Sequence, residues 1–226
     1  MRTLLLVLAL TFNGANAQAQ VAPSAAEVAA YTALHAAAQQ GKAAKITMLA
    51  AGGAAVNATD AHGRTPLHVA TFARQRDAIR ALVKAGADIN RWENDRYDAV
   101  TIASVADDEE TLRVLLQLGA SAKQTTSRYD GSALIAAAHL GHNGVVHQLI
   151  AAGAPLDHVN NLHWTAAIEA VVLGNGGPRH QATLKALIDA GANLQLADRH
   201  GQTSLALARS RGYSAMVLML EKAGGR

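Results

Sequence analysis

Apolar residues recur along the chain in sets of two bursts, each set closed by glycine. The first burst of each set is marked by Leu34, Leu67, Val100, Leu134, Ala167 and Leu205, spaced 33, 33, 34, 33 and 38 residues apart. Three positions further on there is always an alanine: Ala37, Ala70, Ala103, Ala137, Ala170 and Ala208. The second burst carries pairs such as Leu82-Val83, Leu115-Leu116, Leu149-Ile150 and Leu187-Ile188. It stops at Gly53-Ala54, Gly86-Ala87, Gly119-Ala120, Gly153-Ala154 and Gly191-Ala192, spaced 33, 33, 34 and 38 residues apart. Two separate series share one period, so the chain reads as six copies of one unit.

Each unit is predicted to be a helix, a tight junction and a second helix. Thr32, Thr65, Asp98, Ser132, Thr165 and Thr203 stand two residues before the marked apolar position. Their side chains are of the kind that accept from free N–H groups at a helix start. Pro66 suits the first helical position. The first helices should end near Gly41, Gly141, Gly174 or Gly212, where glycine can take positive φ. A loop with Asn57, Asn90 or Asp198 then leads on through a turn such as His62-Gly63. One helix pair cannot cover its own apolar face, whereas stacked pairs bury a continuous core. The alanine column marks where adjacent helices touch most closely. The expected fold is an all-α solenoid of about six helix-turn-helix units with short β-turn tips. It should occupy residues 29–224, with units starting near 32, 65, 98, 132, 165 and 203. Residues 18–28 read as a linker. Unit five departs from the pattern at Gly174-Asn175-Gly176-Gly177-Pro178-Arg179-His180, which reads as a protruding loop.

The first residues have another pattern. One positive side chain, Arg2, precedes the apolar run Leu4 to Leu10, and small residues follow at Ala15, Ala17 and Ala19. This is the layout of a secretory signal peptide, cut after Ala17. The run is far below the roughly 20 residues that span a bilayer, so no stable membrane insertion is expected after cleavage. Export to the periplasm is the expectation, with secretion as the second choice.

Composition narrows the reading further. Half the residues are hydrophobic, but only 4% are aromatic, and alanine dominates. A sandwich or barrel would want more β-branched and aromatic residues. With no cysteine, disulfides, thiolate metal sites and cysteine nucleophiles are excluded. The formal charge of +3 is too small for a protein that tracks phosphates, so no nucleic-acid partner is expected.

Thr65-Pro66-Leu67-His68-Val69-Ala70 reproduces T-P-L-H-x-A, a pattern of the ankyrin repeat, whose period is 33. Thr32-Ala33-Leu34-His35 is a close variant, and Leu49 to Asn57 and Leu82 to Asn90 resemble the ankyrin ending L-x-x-x-G-A-x-x-N. From about Ala29 to Gly224 the chain thus resembles the ankyrin-repeat family. Units three and five open without the proline and histidine. The resemblance implies that His35 and His68 bond to backbone and threonine groups between units. It also implies binding through the turn tips and the exposed, concave face of the first helices. Carried over by position, the tips hold Arg64, Trp92, Asp95, Tyr97, Tyr129, Leu162 and Trp164. The ends of the first helices hold Phe72, Val105, His139, Leu140, Val172 and Leu173. Both tryptophans fall in this set, and interface hot spots are enriched in Trp, Tyr and Arg. The implied function is a monomeric, non-catalytic scaffold that binds another protein. Similar exported bacterial ankyrin proteins include some associated with periplasmic catalase and peroxide defence and others that act as immunity proteins to toxins, so the resemblance leaves both roles open.

Catalytic chemistry finds no footing in the residues. No nucleophile stands in G-x-S-x-G, and there is no P-loop and no H-E-x-x-H. His139, His142 and His147 cluster in unit four but are not expected to converge as zinc ligands, and no cofactor is expected. His158, His163, His180 and His200 read as solvated. The acidic run Asp107-Asp108-Glu109-Glu110 reads first as a solvated junction and second as a docking patch for a basic partner, and it could pair with Arg74 and Arg76 of the neighbouring unit.

Overall fold

A computed structural model describes residues 20–226; the expected signal peptide, residues 1–17, lies outside them. The described residues form thirteen helices. A short α1 (Ala25–Ala30) precedes six helix pairs. These are α2 (Ala33–Gln39) with α3 (Ala43–Ala51), α4 (Pro66–Phe72) with α5 (Arg76–Lys84), and α6 (Ala99–Val105) with α7 (Glu109–Gln117). Then come α8 (Ala133–Leu140) with α9 (Asn143–Ala151), α10 (Ala166–Val172) with α11 (Pro178–Asp189), and α12 (Ser204–Ser210) with α13 (Ser214–Lys222). First helices stack on first helices and second on second along the whole series. Among the described residues the only β pairing is two isolated bridges, Thr126 with Gly131 and Ala197 with Thr203.

Most of the sequence signals act as read: Gly41, Gly141 and Gly212 take positive φ beyond their first helices, whereas at the unit-five junction the positive φ falls on Gly176 and not on Gly174. The six polar residues that open the units are the N-caps of the first helices, and five of them accept from the backbone N–H three residues on. Thr32 makes no such bond, and the following Ala33 takes φ 45°. Each second helix ends at a glycine of positive φ, and the N–H beyond it reaches back to the helix, as in Ala87 to the Leu82 carbonyl at 2.9 Å. That satisfies carbonyls the helix end would leave free. All six column alanines are buried in one continuous core with the marked apolar residues.

The tips repeat one device. Asp60, Glu93, Asn160 and Asp198 each accept, through one side-chain oxygen, the backbone N–H groups two and four residues on. The residue three positions on is left-handed: Gly63, Arg96, His163 and Gly201. Neighbouring tips join through the backbone, Asn94 N–H to the His62 carbonyl at 3.0 Å and Asn161 N–H to the Tyr129 carbonyl at 2.9 Å.

Histidines tie the first helices to the loop that closes their own unit and to neighbouring units. His35 and His68 bond the carbonyls of Arg64 and Arg91 at 2.9 and 3.0 Å, as the resemblance implied. His142, His158 and His180 do the same with the carbonyls of Ser104, Asp130 and His139, at 2.9, 2.6 and 2.9 Å. His158 and His180 are therefore structural ties between units, not the solvated side chains the sequence suggested. The acidic run also pairs across units: Asp108 is buried, accepts from Thr111, and meets Arg76 at 3.1 Å and Arg74 at 3.6 Å. Asp107 bonds Arg179 at 3.0 Å.

Two segments expected to be irregular contain helix. The linker expected at residues 18–28 holds the start of α1, with a capping box between Ser24 and Glu27. In unit five, Pro178 opens a helix instead of breaking one, because its missing N–H costs nothing at the first position. Of the five added residues, two lengthen the junction and three lengthen α11, to 12 residues from the 9 of α5. The extended first turn carries Arg179 and His180 over the end of α8. Gly176 (φ +69°) lets the Tyr213 ring close on this junction, and a Cβ there would stand 2.6 Å from that ring.

Candidate functional site

The first helices of units three, four and five and the tips beside them enclose a groove of about 580 Å³. Helix α6 supplies Thr101 and Val105; α8 supplies Ile135, Ala136, His139 and Leu140; Glu169 of α10 and Leu173 just beyond it close the far side. The tips add Tyr97, Thr126, Ser127, Tyr129, Asn160, Leu162 and Trp164. The N-caps place these residues. Each cap sets where its first helix starts, so equivalent helix ends line up along one face and the tips overhang it.

Eight of the thirteen residues expected at a binding face line this groove: Tyr97, Val105, Tyr129, His139, Leu140, Leu162, Trp164 and Leu173. Tyr129, Leu140 and Leu173 are 40%, 36% and 43% exposed. Trp164 is half-buried against the core, and Tyr97 is mostly buried, with burial pushing its hydroxyl pKa up. The other five lie elsewhere. Trp92 is exposed beside Arg96, whose guanidinium stacks 5.2 Å from the indole. Asp95 is engaged by Arg128 at 2.6 Å. Phe72 and Val172 are half-buried and do not line the groove.

Arg64 is the clear correction. Its tip position suggested an exposed anchor, but it is 1% exposed. Its guanidinium bonds Asp60 at 2.7 Å, the Val21 carbonyl at 3.1 Å and Glu27 of α1. Tyr31 completes the cluster by donating to Asp60 at 2.7 Å. Burial pushes the Asp60 carboxyl up, but the bonds from Tyr31, Arg64 and the backbone outweigh it and hold the group at about 2. Arg64 therefore fastens the N-terminal segment to unit two and is not free for a partner.

One groove residue escaped the sequence reading. Glu169 is a carboxylate at 4% exposure, in a register that elsewhere holds Ala36, Val69, Ile102, Ala136 and Leu207. The exception in an apolar column was visible in the alignment of the units. Its Oε1 accepts from Asn160 Nδ2 at 3.0 Å. Its Oε2 is buried with no hydrogen-bond donor, and His139 Nδ1 stands 3.4 Å away. No Lys or Arg lines the groove. Among the described residues, no three His, Cys, Asp or Glu side chains converge as metal ligands. A smaller depression of about 290 Å³ between α3 and α5 is walled mainly by alanines and has neither acid nor aromatic ring.

Comparison with known proteins agrees with this architecture. The profile of a family described as ankyrin repeats (3 copies) matches residues 3–92 and 134–225. The putative ankyrin repeat protein YahD of Escherichia coli K12 is 36% identical over 99 residues, 43% of this chain and 49% of that protein. The chain thus matches about half the length of that curated relative. Among solved structures, an ankyrin repeat domain from Acinetobacter baumannii is 41% identical, with a TM-score of 0.80 over 85% of this chain and 98% of that one. The ankyrin repeat protein EF0377 is 31% identical, with a TM-score of 0.78 over the same shares, 85% and 98%.

Proposed function

The chain belongs to the ankyrin-repeat family, and on that premise we propose that it is a non-catalytic scaffold whose groove between units three and five seats part of a partner protein. Ankyrin repeats are in general protein-binding scaffolds. The observation that carries the reading is the clustering of exposed bulk. Of eight large hydrophobic side chains exposed among the described residues, three (Tyr129, Leu140 and Leu173) ring this one groove. Contiguous apolar surface in a concavity marks an interaction site, and tyrosine and tryptophan are the side chains that anchor such contacts. The scaffold acts in the periplasm after loss of residues 1–17. The support for export is the apolar run behind Arg2 and the small residues at its end.

Affinity capture from an envelope extract tests the binding reading. The wild-type chain should retain a protein that a Tyr129→Ala, Leu140→Ala, Leu173→Ala variant loses, since anchors of this kind contribute about 2 kcal/mol or more each. Trp92→Ala should retain it. Equal capture by the triple variant, with an unchanged melting curve, would place the interface elsewhere. The captured protein would also decide between peroxide defence and toxin neutralisation. For export, the intact mass of the protein from periplasmic fractions should begin at Gln18; full-length protein confined to the cytoplasm would refute it.

A further inference from the structure

The groove floor specifies more than an apolar partner. Glu169 sits at an apolar register of the repeat, and a second change in the same unit accompanies it. The tip residue that accepts two backbone N–H groups is an acid at Asp60, Glu93 and Asp198 but an amide at Asn160. Asn160 spends its oxygen on the turn, so its amide nitrogen faces Glu169 and donates at 3.0 Å. An acid there would instead set a second carboxylate against the first. The unit thus carries a buried carboxylate together with a donor that orients it. One oxygen is satisfied, and the other is left with a contact to His139 at 3.4 Å. A buried acceptor left without a donor costs about 1–3 kcal/mol, so an apolar residue would serve the fold better here.

We propose that Glu169 Oε2 receives the cationic end of a lysine or arginine side chain of the partner protein. This deepens the reading above and rests on it. The alkyl stem of the incoming residue lies against Leu140, Leu162 and Leu173, and the cation passes the rings of Tyr129 and Trp164, whose faces attract positive charge. His139 stands at the groove rim and swings aside to admit it. The charges agree: among the lining residues Glu169 is the one acid, no Lys or Arg lines the groove, and the one basic side chain near Oε2 is the His139 imidazole at 3.4 Å. A charge-assisted bond to so buried an oxygen is strong and directional.

The test is selection of phage-displayed random dodecapeptides on the wild-type chain, keeping those that the Tyr129→Ala, Leu140→Ala, Leu173→Ala variant fails to bind. These peptides should share one Lys or Arg flanked by apolar residues. Replacing it with citrulline for arginine, or norleucine for lysine, should weaken binding at least tenfold on the wild-type chain. Glu169→Gln should weaken the basic peptide equally, with no further loss for the neutral one. Groove-dependent peptides without a basic residue, or with affinity insensitive to its neutral replacement, would overturn the assignment and leave the groove reading standing. A selection that yields no groove-dependent peptide would overturn both. The comparison of basic and neutral peptides needs only the wild-type chain, so it decides even if Glu169→Gln does not fold.

Discussion

Acid should loosen the hold of α4 on the loop that leads from unit two to unit three, through a single imidazole. His68 is buried at the start of α4. Its Nδ1 accepts from the Thr65 backbone N–H at 3.0 Å and lies 2.9 Å from Thr65 Oγ1. That fixes the tautomer: the proton is on Nε2, which donates to the Arg91 carbonyl at 3.0 Å. Protonating Nδ1 would turn it against the N–H that it now accepts. Burial pushes the imidazole from its ordinary 6.5 down to about 4, against the pull of the Arg91 and Tyr97 backbone. The unfolded chain therefore takes up this proton below about 6.5, and the folded chain only below about 4. Stability from His68 is complete above 6.5 and drains away as the pH falls to 4, by about 3 kcal/mol in all. Urea unfolding at pH 7.5 and 4.5, for the wild-type chain and His68→Gln, isolates it. The variant should be weaker at pH 7.5, and it should lose about 2–3 kcal/mol less between the two conditions. Equal losses in both proteins would show that His68 is not held neutral by the fold, and the tie through Arg91 would have to be redrawn.

Other positions test other layers of the account. Arg64→Met should release the N-terminal segment: amide exchange at Val28 and Tyr31 should rise steeply, while protection in α6 to α10 stays unchanged. Unchanged exchange in α1 would refute the fastening role. Ala103→Leu overfills the buried alanine column and should cost about 1–3 kcal/mol in chemical denaturation; a neutral result would mean the column has room to spare. His163 holds φ 64° at a turn where Gly63 and Gly201 stand in other units. His163→Gly should therefore raise stability by about 1 kcal/mol, and a fall would show that its exposed ring makes a contact of its own.

Much of this was legible in the chain because the signals are local and repeated. A cap three residues before an N–H, a glycine beyond a helix end and an alanine at each crossing act within one unit, and six copies fix their phase. What misled was long-range. Arg64 occupies an exposed register, but α1 folds back over it, and nothing near Arg64 announces a carboxylate 37 residues earlier in the chain. Pro178 after three glycines suggested a break, whereas proline at a helix start and in a helix interior read alike until the start is known. Glu169 is a local signal of another kind: a single acid forms no cluster of reactive side chains, and its meaning lies in a register that the other five units fill with apolar residues.

The central claim is that the groove between units three and five is where a partner sits. Hydrogen exchange of the chain with and without the protein it captures tests it most directly. Protection should rise at residues 126–131 and 160–164 and at the C-terminal ends of α8 and α10, with the outer helices α3, α5 and α13 unaffected. Protection concentrated on those outer helices, with residues 126–131 and 160–164 exchanging as before, would contradict it.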